Sequence, residues 1–233
     1  MRLLGRLLLV GVLGAFALGG YVWTGLPGRG DVRALASSNP GTTGVMRQRE
    51  AEARAAGRSS SRIQSWVPIS RMSRHLVHAV LSSEDQKFFG HQGVDWDAIE
   101  KSVQEDRKER RFVRGGSTIT QQLAKNLYFT THKSLVRKLR ELIVARWLEE
   151  DLSKRRILEL YLNVIEWGNG VFGSEAAARH YFGIGAGELN AEQAARLAAM
   201  APNPRHYEST PNSKGLARKV PIILARMPSA ELP

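Results

Sequence analysis

The segment from Leu7 to Trp23 constrains the fold of this chain most, because it contains no charged residue. Its length matches the shortest helices that cross a lipid bilayer. Arginines precede it, and two aromatic residues, Tyr21 and Trp23, close it at positions typical of the membrane–water interface. We therefore predict a transmembrane anchor at residues 7–23, with residues 1–6 in the cytoplasm.

A cleaved signal peptide is the alternative for this segment. Ala15-Phe16-Ala17 is a small-x-small site of the kind that signal peptidases cut, and it follows a short apolar core. The apolar run continues past this site to Trp23, which a signal peptide does not require, so an uncleaved anchor is favoured. In both cases the rest of the chain lies outside the cytoplasm.

The chain is strongly basic, with 34 Lys and Arg against 22 Asp and Glu and a formal net charge of +12. This charge calls for a polyanionic partner, such as nucleic acid, an anionic membrane surface or a phosphorylated substrate. The extracytoplasmic location argues against nucleic acid. The chain has no cysteine, which excludes disulfides, thiolate metal sites and a cysteine nucleophile.

Residues 24–65 are rich in Gly, Pro, Ser, Ala and Arg, a composition typical of linkers. The pattern allows a short helix around Val45 to Ala56. We predict that this segment mainly tethers a folded domain to the membrane. Because 42% of the whole chain is hydrophobic, the remainder can form one domain with its own core, at residues 66–233.

Two adjacent carboxylates, Glu84 and Asp85, follow a predicted helix with an apolar stripe. Aromatic residues and a glycine-bounded turn come next, and these could hold one acid partly desolvated, as a general base near neutral pH requires. The alternative is structural: both acids are solvated, Phe88 lies in the core and His91 bonds a backbone group. From the residues alone, the structural alternative is favoured.

Residues 115–118 join two glycines to two hydroxyl residues ahead of a second predicted helix, which Ser117 or Thr118 would cap. Free backbone amides at this helix start, with Arg114 and Lys125 nearby, would suit a phosphate-bearing ligand. The alternative is a capped Gly-Gly turn. Spacing alone favours the turn, because short glycine-rich motifs match by chance.

The rest of the chain also has helical periodicity. A helix predicted at residues 133–150 begins with basic residues, and its single early acid, Glu141, is explained by pairing with Arg137. The apolar face of this helix consists of Leu135, Leu139, Leu142 and Ile143. Pro221 is predicted to break or kink a terminal helix over residues 216–227. Because no strand-like alternation of useful length is present, the domain is predicted to be mainly α.

Five blocks occur in order along the chain. They are Glu84-Asp85-x-x-Phe88-x-x-His91-x-Gly93-x-Asp95, Gly115-Gly116-Ser117-Thr118-Ile119-Thr120-Gln121-Gln122, Arg137-Lys138-x-x-Glu141, Ile157-Leu158-Glu159-x-Tyr161-Leu162-Asn163, and Gly173 to Gly183. These blocks resemble the motif regions of the peptidoglycan glycosyltransferases, glycosyltransferase family 51, over about residues 66–207. Five ordered blocks are far more specific than one motif. Within the family, the chain is similar to the monofunctional members from Gram-negative bacteria. The similarity lies in its short, membrane-anchored form and in the segment that begins the domain, Trp66-Val67-Pro68-Ile69-Ser70.

The resemblance implies a mainly α fold, with a lysozyme-like helical glycosyltransferase lobe and a smaller, membrane-associated jaw lobe after the transmembrane helix. It also implies a single-pass protein of the bacterial inner membrane with its catalytic domain in the periplasm. The region between residues 95 and 114 would lie near the mobile part of the cleft, where Trp96, Phe112 and Val113 could touch lipid. Core packing is the favoured role of Trp96. The chain lacks the Ser-x-x-Lys and Lys-Thr-Gly patterns of a transpeptidase, so no transpeptidase activity is expected.

The resemblance further implies polymerisation of lipid II, a disaccharide-pentapeptide on undecaprenyl pyrophosphate, into glycan strands. Glu84 matches the family's general base, which deprotonates the acceptor 4-hydroxyl for an inverting attack on the donor anomeric carbon. Glu141 matches a second important glutamate, and an orienting role is favoured for it.

The implied ligands of the leaving pyrophosphate are cations with neighbouring hydrogen-bond donors. They are Arg114, Lys125, Lys133, Arg137 and Lys138, together with Ser117, Thr118 and Gln121. Lys133 departs from the arginine of many relatives and loses bidentate phosphate binding. No cofactor is implied. The sequence leaves open whether a divalent metal assists the pyrophosphate and whether cell-wall synthesis or division proteins bind the chain.

Two other functions remain open at this point. A peptidoglycan-cleaving lysozyme or lytic transglycosylase would use a similar acid, but it needs no cations for a pyrophosphate, so the basic residues argue for synthesis. A membrane-anchored, non-enzymatic cell-wall scaffold would use the carboxylates only structurally.

Overall fold

The computed structural model of the chain describes residues 2–59, 61–97, 99–100 and 116–230, apart from the side chains of residues 2–5, 7 and 8. Its first half contains α1 (Arg2–Thr24), α2 (Arg29–Ala34), α3 (Gly44–Ala55), β1 (Ile63–Gln64), α4 (Arg74–Glu84) and α5 (Ile119–Tyr128). Its second half contains α6 (Leu135–Asp151), α7 (Lys154–Val164), β2 (Glu166–Gly168), β3 (Val171–Phe172), α8 (Ser174–Phe182), α9 (Ala191–Met200), α10 (Pro204–Ser209) and α11 (Lys214–Arg226). Short 3₁₀ turns lie at Ile69–Arg71, Phe88–Gly90 and Met227–Ser229.

The core forms where α4 packs on α9 and where α5 packs on α6 and α7. Leu76 and Val80 of α4, Leu123 of α5 and Leu158 of α7 are completely buried. The facing side of α9 is rich in alanine, including the buried Ala198, and small side chains let two helices approach closely. The mainly α prediction is therefore confirmed.

A small sheet that the sequence did not predict lies beside these helices. Its strand order is β1-β3-β2, with β1 parallel to β3 through the pair Ile63 and Val171, and β2 antiparallel to β3. Each strand has two or three residues, which is too short to produce a visible alternation of apolar and polar positions. At the β2–β3 turn, Gly170 has φ +78° and lies so close to the Ser61 carbonyl that a Cβ would clash with it. Only glycine suits this position.

The segment predicted to be a linker, residues 24–65, packs on the domain. Val32 of α2 lies in the main core, and Val45 and Met46 of α3 are buried against Phe172. Gly44 approaches the backbone of Phe129 so closely that an added Cβ would lie 2.3 Å from its carbonyl oxygen. Only a few apolar residues make these contacts, and polar residues surround them in the sequence. The average composition of the segment therefore did not indicate that it packs on the domain.

The apolar face predicted for α6 is not the buried one. Leu135 is 87% exposed and Leu139 is 45% exposed. The buried face consists of Glu141, Val144, Ala145 and Leu148. The sequence of α6 contains two apolar stripes, and tertiary packing selects the one that ends at Leu148. Leu135 and Leu139, two of the four residues of the apolar face identified from the sequence, are therefore exposed.

Two smaller expectations also differ from the structure. Trp96 is 72% exposed, so the favoured core role is wrong, while Phe112 and Val113 lie outside the described residues. The predicted break at Pro221 is absent, because α11 continues through this residue, while the alternative of a kink stays a prediction. Because proline lacks an N–H, the helix forgoes one backbone hydrogen bond and remains helical on both sides.

The end of α1 contacts α6. Arg140 donates from Nε to the Val22 carbonyl at 3.0 Å, and the Trp23 ring meets the edge of Trp147 with 6.3 Å between centroids. Earlier in α1, Val10 and Phe16 are exposed. Within the described part of the chain, no helix is long and apolar enough to cross a membrane.

Candidate active site

The two adjacent carboxylates at the end of α4 have different environments. Glu84, the last residue of the helix, is half-buried and accepts a hydrogen bond from Gln122 Nε2 to Oε2 at 2.9 Å. Ser83 donates a longer bond of 3.3 Å to its Oε1. Asp85 is buried and accepts from the backbone N–H of Ile119 at 2.9 Å, and its carboxylate also contacts His91 Nε2 at 3.0 Å. Asp85 therefore joins structural elements, while Glu84 keeps accessible surface.

The surroundings of Glu84 favour its neutral form. Burial raises the pKa of this carboxyl above its ordinary value, and this is the largest contribution. The hydrogen bonds from Gln122 and Ser83 and the charges of Lys219 and Lys125 act in the opposite direction. A carboxylate with a raised pKa and open acceptor capacity is suited to accept a proton.

Thr118 caps α5, which settles the choice between Ser117 and Thr118. Its hydroxyl accepts from Gln121 N at 3.2 Å and donates to the Gly93 carbonyl at 2.7 Å. Two of the amides at this helix start are not free, because the amide of Ile119 donates to Asp85 and that of Gln121 donates to Thr118. This is the capped turn that the spacing favoured. Protein groups satisfy these donors before any ligand arrives.

The side chains around this helix start instead hold a lysine. Lys138 of α6 donates from Nζ to Ser117 Oγ at 2.9 Å and to Gln121 Oε1 at 2.7 Å. Burial lowers the pKa of Lys138 to about 8, with the positive charges of Arg137 and Lys125 adding to the effect. The predicted ligands Ser117 and Gln121 thus contact the cation directly, and the buried Thr118 organises the turn beneath them.

Glu141 lies among the cations of α6. Arg137 pairs with one of its oxygens, and Lys138 Nζ lies 3.6 Å from the other. Only 3% of Glu141 is exposed, so its carboxylate depends on these partners for compensation of its charge. The i,i+4 pairing expected from the sequence is present.

The charge of Lys125 interacts both with Glu84 and with the cations of α6. Burial lowers its pKa, the charge of Arg137 lowers it further, and the charge of Glu84 raises it. Its ammonium group has no hydrogen bond or ion pair with any side chain that the structure describes. Among the other predicted ligands, Lys133 is exposed, and Arg114 lies outside the described residues.

Three further residues belong to this site although the sequence did not single them out. Tyr161 of α7 donates to Gln122 Oε1 at 3.0 Å, and Lys219 of α11 is close enough to lower the pKa of Glu84. Gln122 and Tyr161 lie within two of the recognised blocks, so their positions were available from the sequence. Lys219 is remote in sequence from the other residues, and only the packing of α11 reveals it.

No group of three or more histidine, aspartate or glutamate side chains that could hold a metal ion occurs within the described ranges.

Comparisons with known proteins identify the family of this chain. The sequence profile of the Transglycosylase family matches residues 50–228. The chain is 51% identical to a biosynthetic peptidoglycan transglycosylase of Dechloromonas aromatica (strain RCB) over 236 residues, covering 100% of both chains. A protein of the same name from Methylobacillus flagellatus is 51% identical over 84% of this chain and 85% of its own, and one from Nitrosomonas eutropha is 54% identical over 72% and 69%. This chain belongs to the transglycosylase family.

Proposed function

We propose that this chain is a peptidoglycan transglycosylase that polymerises lipid II into glycan strands, with Glu84 as the general base. The observation that carries the proposal is the arrangement of one accessible carboxylate, whose pKa burial raises, beside Lys125 and the cations of α6. The names of the relatives support the same substrate class.

The proposed reaction is a direct displacement. Glu84 accepts the proton of the acceptor 4-hydroxyl as that oxygen attacks the anomeric carbon of the donor. The bond from this carbon to the pyrophosphate oxygen breaks, and the lipid pyrophosphate leaves with the electron pair, so the configuration inverts. The raised pKa makes the Glu84 carboxylate a stronger base for this proton transfer.

The cations stabilise the departing pyrophosphate. Its negative charge grows as the bond breaks, so preorganised cations bind the transition state more strongly than the ground state. Lys125 is the principal candidate, because its charge interacts with those of both Glu84 and Arg137 and it has no described side-chain partner to displace. Lys138 and Arg137 extend the positive surface, and Glu141 fixes their positions.

The cation cluster also separates this proposal from its alternatives. A hydrolase that protonates a sugar oxygen does not need buried lysines close to its acid, because no pyrophosphate leaves in its reaction. A non-enzymatic scaffold does not require a partly accessible carboxylate close to these cations.

The test is glycan polymerisation with purified full-length protein and labelled lipid II, scored by gel electrophoresis. The wild type should form long chains, and Lys125→Ala should lower the rate by about 100-fold, the scale of losing one preorganised donor to a developing anion. Lys214→Ala, which removes an exposed lysine at the start of α11, is the matched control and should leave the rate unchanged.

The same protein should be incubated with intact sacculi. Absence of polymer from a folded wild type would reject the proposed function. Released muropeptides would favour the cleaving alternative, whereas binding without any turnover would favour the scaffold.

We further propose that residues 7–23 of α1 anchor the protein in the inner membrane with the domain in the periplasm. The uncharged sequence and the exposed apolar side chains of α1 support this proposal. The tagged full-length protein should resist carbonate extraction, dissolve in detergent and be cut by protease added to spheroplasts. Extraction by carbonate, or an N-terminus starting after residue 17, would contradict an uncleaved anchor.

A further inference from the structure

The side-chain amide of Gln122 is held at both ends. Its Oε1 accepts from the hydroxyl of Tyr161 at 3.0 Å, and its Nε2 donates to Glu84 Oε2 at 2.9 Å. The three residues lie on α7, α5 and α4, so this chain of hydrogen bonds joins three helices that meet in the core.

The orientation of the Gln122 amide has a physical cause. A glutamine amide has an acceptor end and a donor end, and rotating it by a half-turn exchanges the two. In the exchanged orientation the amide oxygen would face the carboxylate oxygens of Glu84, acceptor against acceptor. A donor at the far end of the amide therefore reinforces the orientation that presents the N–H groups to Glu84.

Tyr161 is suited to be that donor. Only 1% of its surface is exposed, and its neighbours on α7, Leu158, Leu160 and Leu162, are completely buried, so its ring has a fixed position. Burial raises the pKa of its hydroxyl well above the ordinary value, and the nearby carboxylates of Glu84 and Asp85 raise it further. The hydroxyl therefore stays protonated throughout the working pH range.

We propose that Tyr161 is a positioning residue for the reaction, which fixes the Gln122 amide so that its N–H bond directs the carboxylate of Glu84. Oε2 is engaged by Gln122 at 2.9 Å, whereas Oε1 accepts only the longer bond of 3.3 Å from Ser83, so Oε1 has more acceptor capacity left for the substrate hydroxyl. The inference rests on the proposed role of Glu84 as the base and extends it to a residue that need not touch the substrate.

The pKa of Glu84 depends on the groups that face its carboxylate. They are Lys125 on α5, Lys219 on α11 and the neutral Tyr161 on α7, with Asp85 adjacent along the chain. The hydrogen bond from Gln122 lowers the pKa of Glu84 against the larger effect of burial. Loss of this bond should leave more of the base protonated at a given pH.

The experiment is the pH dependence of lipid II polymerisation by Tyr161→Phe, which retains the ring and removes the hydroxyl. At neutral pH the maximal rate should fall by about tenfold, the effect of weakening one hydrogen bond to a charged group. The acidic limb of the kcat profile should move to higher pH, and KM should stay within about twofold because the cation cluster is unchanged.

Tyr181→Phe is the matched control. The hydroxyl of Tyr181 donates to the Trp167 carbonyl at 2.8 Å and also contacts Glu208, so its removal deletes a comparable hydrogen bond away from Glu84. This variant should keep the wild-type acidic limb. A purely structural role for Tyr161 would reduce the amount of active protein and leave the limb in place.

Gln122→Met provides a second route if Tyr161→Phe folds poorly. It should shift the acidic limb in the same direction, and adding Tyr161→Phe to it should cause little further loss of kcat, because both changes interrupt one chain of contacts. An unshifted limb in Tyr161→Phe and in Gln122→Met, or fully additive losses in the double variant, would overturn the inference. A wild type without polymerase activity would reject the proposed function instead.

Discussion

Glu84 and Asp85 show how neighbouring residues acquire different tasks. Glu84 ends α4 in helical geometry, whereas Asp85 is extended with φ −165°, so the two side chains diverge. Asp85 then meets the start of α5, which lies 34 residues further along the chain. The sequence located the pair, but it could not decide which acid is accessible, because that depends on where α5 packs.

Lys138 provides a pH-dependent prediction at this scale. Its pKa of about 8 lies below the ordinary 10.5, so the free enzyme loses a positive charge as the pH rises through about 8. The value of kcat/KM for the anionic donor should therefore fall above about pH 8. Lys138→Arg should move this basic limb to higher pH, because a guanidinium stays charged.

A rise in pH through this range should increase the stability of the fold, although it lowers kcat/KM. Between about pH 8 and 10.5 the unfolded chain binds more protons at Lys138 than the folded chain does, so this residue makes stability rise with pH in that range. Thermal melts of the wild type and Lys138→Arg measure this difference. A basic limb of kcat/KM that is the same in both proteins would contradict the assignment of Lys138 to the donor site.

Glu141 is predicted to act through the cations and not on the acceptor proton. Glu141→Gln leaves Arg137 without its carboxylate partner and should lower the free energy of unfolding by about 3 kcal/mol, as found when one member of a buried pair is removed. KM for lipid II should rise, while the acidic limb stays in place. Urea denaturation and steady-state kinetics measure both effects. An unchanged stability, or a shifted acidic limb, would contradict this role.

At the scale of elements, α6 shows the limit of periodicity. Several helix starts were predictable because capping is local, and Thr118 and Asn190 cap their helices through side-chain contacts three residues ahead. The choice between the two apolar stripes of α6 is not local, since it depends on α5 and α7. The burial of Leu148 and the exposure of Leu135 therefore could not be obtained from the sequence of the helix itself.

The two faces of α6 should respond differently to the same substitution. Leu148→Ala removes a completely buried side chain and should cost about 2–5 kcal/mol of unfolding free energy. Leu135→Ala removes an exposed side chain and should change it by less than about 0.5 kcal/mol. Chemical denaturation of both variants is the measurement. Equal losses would contradict the different burial of Leu148 and Leu135.

At the scale of the whole molecule, the segment between α1 and α4 is part of the folded unit. Arg49 of α3 forms a 2.8 Å ion pair with Glu166 of β2, which is only 7% exposed, and β1 extends the sheet. The sequence could not show this, because the partners are separated by more than 100 residues and the local composition is that of a linker. Truncated chains can therefore test where the folded domain begins.

A chain that begins at Gly25 should fold, whereas a chain that begins at Trp66 should lose cooperative unfolding. The second truncation removes the buried Val32, Val45 and Met46 and leaves Glu166 buried without Arg49. A buried charge without its partner costs about 3–5 kcal/mol, a large part of the stability of a typical domain. Thermal unfolding followed by circular dichroism compares the two chains. Equal melting temperatures would restore the linker interpretation.

We expect the carboxylate of Glu84 to accept the proton during glycan polymerisation. The direct measurement is the initial rate of chain formation from lipid II by Glu84→Gln, with Glu192→Gln, at an exposed glutamate of α9, as the control. We predict a folded Glu84→Gln protein with at least about a 100-fold lower rate and a control equal to the wild type. A Glu84→Gln protein that polymerises lipid II at the wild-type rate would contradict it.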